Sequence, residues 1–86
     1  MPKKILIVDD SAAIRQSISF ILRQEGYETV EAQDGLEAFN MLPSLEGLDL
    51  IITDVNMPNL DGIGFIRKAR ELPKFKFTPI LVLTTE

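Results

Sequence analysis

The sequence contains no cysteine and no histidine. Together these absences remove disulfides, soft-metal centres and imidazole acid–base catalysis, so any chemistry must come from carboxylates, hydroxyls and hard metal ions. Positive charge is scarce: nine Lys and Arg against thirteen Asp and Glu give a net charge of −4, and no basic run exceeds two residues, which argues against a nucleic-acid-binding surface. No apolar stretch approaches the roughly 20 residues of a membrane span. Met1-Pro2-Lys3-Lys4 leads straight into a short apolar run with no signal-peptide core, so the expected location is the cytoplasm. That run is not followed by a glycine-rich phosphate loop. Asp9-Asp10-Ser11 stands in that place with the opposite charge, which disfavours a nucleotide or flavin site.

What is present is the composition of a small globular domain, 86 residues with 45% hydrophobic and 26% charged side chains. The chain is organised around LDLIITDVNMPNLDG, residues 48–62. Leu48 to Thr53 is apolar and rich in β-branched residues, as expected of a strand covered on both faces. Pro58 and the pair Asp61-Gly62 make the following segment a loop, with Asp61 expected as an N-cap. Asp54 is thereby expected at the C-terminal edge of an open sheet, presented rather than buried. A lone strand-end aspartate more often caps a turn, but Lys4 to Val8 is a second such run and also ends in acids, Asp9 and Asp10. If the two strands are parallel neighbours, three carboxylates meet. Such charges raise one another's pKa unless a cation joins them, and an oxygen-only donor set with few protein ligands suits Mg²⁺ better than Ca²⁺.

In chain order, Ser11 is a candidate N-cap for a helix carrying Ile14, Ile18, Ile21 and Leu22 at helical spacing and ending at Gly26. Tyr27 to Ala32 alternates as a half-exposed edge strand, and Asp34-Gly35 punctuates it. Leu36, Ala38, Phe39 and Leu42 predict a short helix stopping at Pro43. Ile63, Ile66, Ala69 and Arg70 belong to a third helix closed at Leu72-Pro73. Residues 74–78 read as a mobile linker, and Pro79 opens a fourth apolar run, ILVLT. The order βαβαβαβ means a parallel sheet with right-handed crossovers. Three helices cover four strands incompletely.

Four segments in this order, ILIVDDS, YETVEAQDGLEA, DLIITDVNMPNLDG and TPILVLTTE, make the whole chain resemble the receiver domains of two-component response regulators, closest to single-domain chemotaxis regulators of the CheY type. The resemblance implies a flavodoxin-like α/β fold, with residues 1–86 the N-terminal portion of one receiver domain. It implies that Asp54 accepts a phosphoryl group from the phosphohistidine of a histidine kinase, making the chain a phosphoacceptor rather than an enzyme acting on a separate substrate. Asp10 and Asp54 would coordinate Mg²⁺ directly, Asp9 through water, and the backbone carbonyl of Asn56 would be a further ligand. Thr84 would hold a phosphoryl oxygen as the switch hydroxyl, and Asn56 and Glu86 would tune access of water to the acyl phosphate. A downstream chemotaxis target would read the result if the full-length protein is intact.

The chain departs from that family in lacking a fifth strand ending in Lys-Pro, the aromatic residue ahead of it, and two helices. Lys3, Lys4, Lys68, Lys74 and Lys76 are misplaced to substitute for that lysine, so Mg²⁺ binding is expected to persist while phosphoryl signalling by these 86 residues is impaired. The family's sheet order, 2-1-3-4-5, would leave Ile80 to Leu83 as an apolar edge and uncover the sheet face beside the Ile14-Ile18 helix, so a rival reading is a truncated or engineered half-domain that self-associates through the fourth strand and that face, without switching. A haloacid-dehalogenase-type phosphatase would need a second aspartate where Asn56 stands.

Overall fold

The computed structural model describes residues 2–83. Four strands, β1 (Lys4–Val8), β2 (Glu28–Ala32), β3 (Leu48–Asp54) and β4 (Ile80–Leu83), alternate with three helices, α1 (Ala12–Gln24), α2 (Gly35–Met41) and α3 (Gly62–Arg70). All strand pairs are parallel, as the alternation of elements predicts, and the sheet order is β2-β1-β3-β4, as the family resemblance implies. Leu6 lies between Val30 and Ile51, and Ile51 is also paired with Ile80.

The two central strands are apolar throughout because each face meets a different layer. On one side Leu6, Val8 and Ile51 pack with Ala38, Leu42, Phe65, Ala69 and Phe75 from the α2 and α3 layer. On the other, Ile5, Ile7 and Ile52 meet Ile18 and Leu22 of α1. β2 alternates as expected. Val30 and Ala32 join the first cluster, while Thr29 and Glu31 turn toward α1 and bond Ser19, Arg23 and Arg15.

Each helix starts on a side-chain cap. Ser11 Oγ accepts from Ile14 N at 3.3 Å, Asp34 Oδ1 from Glu37 N at 2.8 Å and Asp61 Oδ1 from Gly64 N at 2.8 Å. α1 ends in a Schellman turn: Gly26 at φ 91° donates to Arg23 O, and Tyr27 N donates to Leu22 O. Tyr27 therefore belongs to this turn and β2 begins one residue later.

Three further expectations are corrected. The chain does not stop its helical winding at Pro43. A 3₁₀ turn, Leu42–Ser44, follows α2 with the proline near its start, where no amide donor is required. Residues 74–78 are held rather than loose. Phe75 is buried, and Arg70 Nη1 donates to the carbonyls of Phe75, Lys76 and Thr78 at 2.9, 3.2 and 2.6 Å. Ile21, assigned by periodicity to a packed face, is 60% exposed, and Ile14, Leu36 and Ile63 are exposed as well. Periodicity marks an apolar stripe wider than the part the sheet covers.

Candidate functional site: a carboxylate cluster at the sheet edge

β1 and β3 are neighbours with Val8 opposite Thr53, so the next residues, Asp9 and Asp54, emerge side by side at the C-terminal edge of the sheet. Asp9 N continues the ladder by donating to Ala32 O at 3.1 Å. Asp9 Oδ1 accepts from Ser11 N at 2.9 Å, while Arg15 Nη1 donates to Asp9 O at 2.7 Å and its Nε pairs with Glu31 Oε1 at 3.2 Å. Arg15 thus fixes the backbone of the first acid. In the sequence, its spacing of six residues from Asp9 gives no signal of this contact.

Asp9, Asp10 and Asp54 each place a carboxylate oxygen within 4.8 Å of the others. Asp10 is exposed, but Asp54 is only 3% exposed. The expectation that Asp54 is presented rather than buried is therefore wrong. The loop after it does not lead away from the sheet. Gly62 N donates back to Val55 O at 2.9 Å, and Gly62 lies so close to the Asp54 carbonyl that a Cβ there would collide with it. Asp54 Oδ1 accepts from its neighbour's amide, Val55 N, at 2.7 Å.

Burial pushes the Asp9 carboxyl above its ordinary value, and the nearby charges of Asp54 and Asp10 add to this, against the opposing Ser11 amide and Arg15. Asp9 Oδ2 is buried and lacks a hydrogen-bond partner among the described residues. A buried, unpartnered carboxylate oxygen beside two further acids is costly as it stands. It is also the environment a hard divalent cation relieves, and the all-oxygen donor set fits Mg²⁺. Asn56 lies exposed in the loop two residues beyond Asp54. Thr84 and Glu86 lie outside the described residues.

The model of the response regulator receiver domain family matches residues 5–86. The chain belongs to this family. It is 42% identical over 84 residues to chemotaxis protein CheY1 of Helicobacter pylori, a match covering 96% of this chain and 68% of that protein. Among solved structures, Vibrio cholerae chemotaxis protein CheY4 superposes with a TM-score of 0.94 at 46% identity, covering 100% of this chain and 71% of that one. The receiver domain of the Pseudomonas aeruginosa sensor histidine kinase PA1611, described with a magnesium ion coordinated in its active site cleft, superposes with a TM-score of 0.91 at 30% identity, covering 98% and 68%. The flavodoxin-like fold and CheY-like character expected from sequence are thus borne out. Receiver domains accept phosphoryl groups and bind Mg²⁺ at an acidic site, and in this receiver domain the acids that converge are Asp9, Asp10 and Asp54. Among the described residues, no helix is long and apolar enough to cross a membrane.

Proposed function

We propose that this receiver domain accepts a phosphoryl group on Asp54 from a histidine kinase in the cytoplasm, and that a chemotaxis target reads the signal where the full-length protein is intact, the 86 residues alone accepting the group but signalling poorly. The observation that carries the reading is the convergence of Asp9 with Asp10 and Asp54, together with a buried Asp9 Oδ2 that has no hydrogen-bond partner among the described residues. With Oδ1 of Asp54 held by the Val55 amide, Oδ2 is the attacking atom. It forms the new O–P bond as the P–N bond to the donor histidine breaks, and the imidazole keeps the bonding electron pair and takes a proton from solvent. Asp10, Asp54 and the Asn56 carbonyl would hold Mg²⁺, with Asp9 reaching it through water. The ion, when bound, supplies positive charge against the approaching phosphoryl oxygens. Thr84 carries the switch hydroxyl in this reading.

Incubation with phosphoramidate and Mg²⁺ should add the mass of one phosphoryl group, and Asp54→Asn should abolish the addition. In parallel, Mg²⁺ should shift the amide resonances around Asp10 and Val55, and Asp10→Ala should remove the response. Modification persisting in Asp54→Asn, or amides indifferent to millimolar Mg²⁺, would overturn the assignment.

A second reading, that the 86-residue chain pairs with a copy of itself through β4, is favoured by the contrast between the sheet's two edges. β2 carries Glu28 and Glu31, which discourage edge pairing, whereas β4 is Ile-Leu-Val-Leu with Leu81 51% exposed. Sedimentation should show a dimer that Leu81→Lys dissociates. A parent chain that is monomeric at every concentration refutes it.

A further inference from the structure

The loop between β3 and α3 carries Asn56 and is fastened at both ends. At its base Gly62 N donates to Val55 O, as described. At its far end the fastening is to another part of the chain. Asn59 Nδ2 donates to Asp34 Oδ2 at 2.7 Å, and Gly35 N donates to Leu60 O at 3.0 Å. Asp34 is 5% exposed, and its other oxygen already caps α2 through Glu37 N. The contact is close: a Cβ on Gly35 would collide with Leu60 O. Asn59 holds φ at 68°, a left-handed conformation that asparagine tolerates better than most side chains, and Leu60 N closes a tight turn onto Pro58 O at 2.7 Å.

A cap for α2 needs only one acceptor oxygen. The second oxygen of Asp34 is spent on a residue 25 positions away, on the loop that supplies a candidate metal ligand. With Met57 and Leu60 packed against the core, the Asn59–Asp34 bond removes the remaining freedom of the segment beyond Asn56. A backbone carbonyl can be a ligand only where the loop is held in one conformation, and outer partners that orient a ligand affect affinity as the ligands themselves do.

We propose that Asp34 and Asn59 are positioning residues for this loop, their side-chain bond tying it to the start of α2 and setting the place of the Asn56 carbonyl. The inference rests on the reading of Asn56 as a metal ligand. Asp34→Ser keeps a capping hydroxyl but is too short to reach Asn59, and Asn59→Gly keeps the left-handed backbone but removes the amide. Each should weaken Mg²⁺ binding about tenfold, and the double variant should be little worse than either single one, because the two residues form one bond. The exchange Asp34→Asn with Asn59→Asp puts the donor on α2 and the acceptor on the loop, and should recover affinity. Without metal, the amide protons of Gly35 and Gly62 should exchange faster in the single variants and at the parent rate in the exchange variant. Folded single variants with parental Mg²⁺ affinity, or an exchange variant that recovers nothing, would overturn the proposal. If the parent itself fails to respond to Mg²⁺, the site assignment falls instead, and the metal-free amide exchange still decides whether this bond fixes the loop.

Discussion

Replacing Asp9 by asparagine should make the metal-free protein more stable and less responsive to Mg²⁺. In the parent, Asp9 is 1% exposed, one of its oxygens has no hydrogen-bond partner among the described residues, and carboxylate oxygens of Asp10 and Asp54 lie within 4.8 Å. Two like charges at such a distance repel by about 3 kcal/mol at an effective dielectric near 20 and by about 1 kcal/mol in water. Asp10 is open to solvent, so its share lies near the lower figure. Asparagine keeps an acceptor for Ser11 N, removes one of the three negative charges and places a donor where the unpartnered Oδ2 stood. After solvent screening the net gain should be about 1 to 2 kcal/mol, or roughly 4 to 15 °C in melting temperature for a domain of this size. The advantage should shrink or reverse in excess Mg²⁺, since saturation at about 100 times Kd stabilises a binding-competent parent by roughly 2.7 kcal/mol. The pH dependence provides a second test. The folded-state pKa of Asp9 lies above the ordinary value of 3.8, so between the two values the native state keeps a proton that the unfolded chain has released, and stability falls as pH rises through that window. The Asp9→Asn variant should lack this falling limb. Thermal melts in chelator and in Mg²⁺ decide the matter: a variant that melts below the parent without metal, or that gains as much from Mg²⁺, refutes the account of the cluster.

Asp34 should behave in the opposite sense. The Glu37 amide and then the Asn59 side chain lower its pKa, so its contribution is present above pH 3.8 and is lost as pH falls through the depressed folded value; Asp34→Asn should flatten that acid limb in a pH series of urea melts. Gly62→Ala should cost about 1 to 3 kcal/mol, read from thermal denaturation, because the new methyl meets the Asp54 carbonyl rather than a side chain able to move aside. Arg70→Met should cost roughly 1.5 to 3 kcal/mol in urea titration, since one guanidinium nitrogen serves three carbonyls between Phe75 and Thr78.

The elements that sequence reading located well are those where two local signals agree. β1 and β3 combine β-branched runs with an abrupt acidic end, and α1 combines a serine cap, helical spacing and a terminal glycine; alternation makes the strands parallel, while their order is legible only through the family resemblance. Reading failed where a long-range contact decides the outcome. Residues 74–78 carry two lysines and two phenylalanines and look loose. Only the position of Arg70, on the last turn of α3, reveals the donor that gathers their carbonyls. Leu36 and Ile63 fit an apolar stripe, yet they sit at its margin, beyond the reach of the sheet.

For the site, the identities of the three acids were legible because each closes an apolar strand, but their environment was not. Strand ends in open sheets border solvent, which makes an exposed Asp54 the natural expectation. Its burial follows from the path of the next eight residues. Gly62 returns against the Asp54 carbonyl, and only glycine permits that approach; Gly35 admits Leu60 O for the same reason; Asn59 accepts the left-handed turn between them. In sequence these residues look like ordinary turn formers, and their small or polar character says that the chain bends without saying toward what. Together they hold the loop back against the backbone at the edge of the sheet, and the Asp54 side chain, expected in water, is buried beside Asp9. The acidic cluster is costly because of that burial, and this same cost is what a divalent cation would relieve.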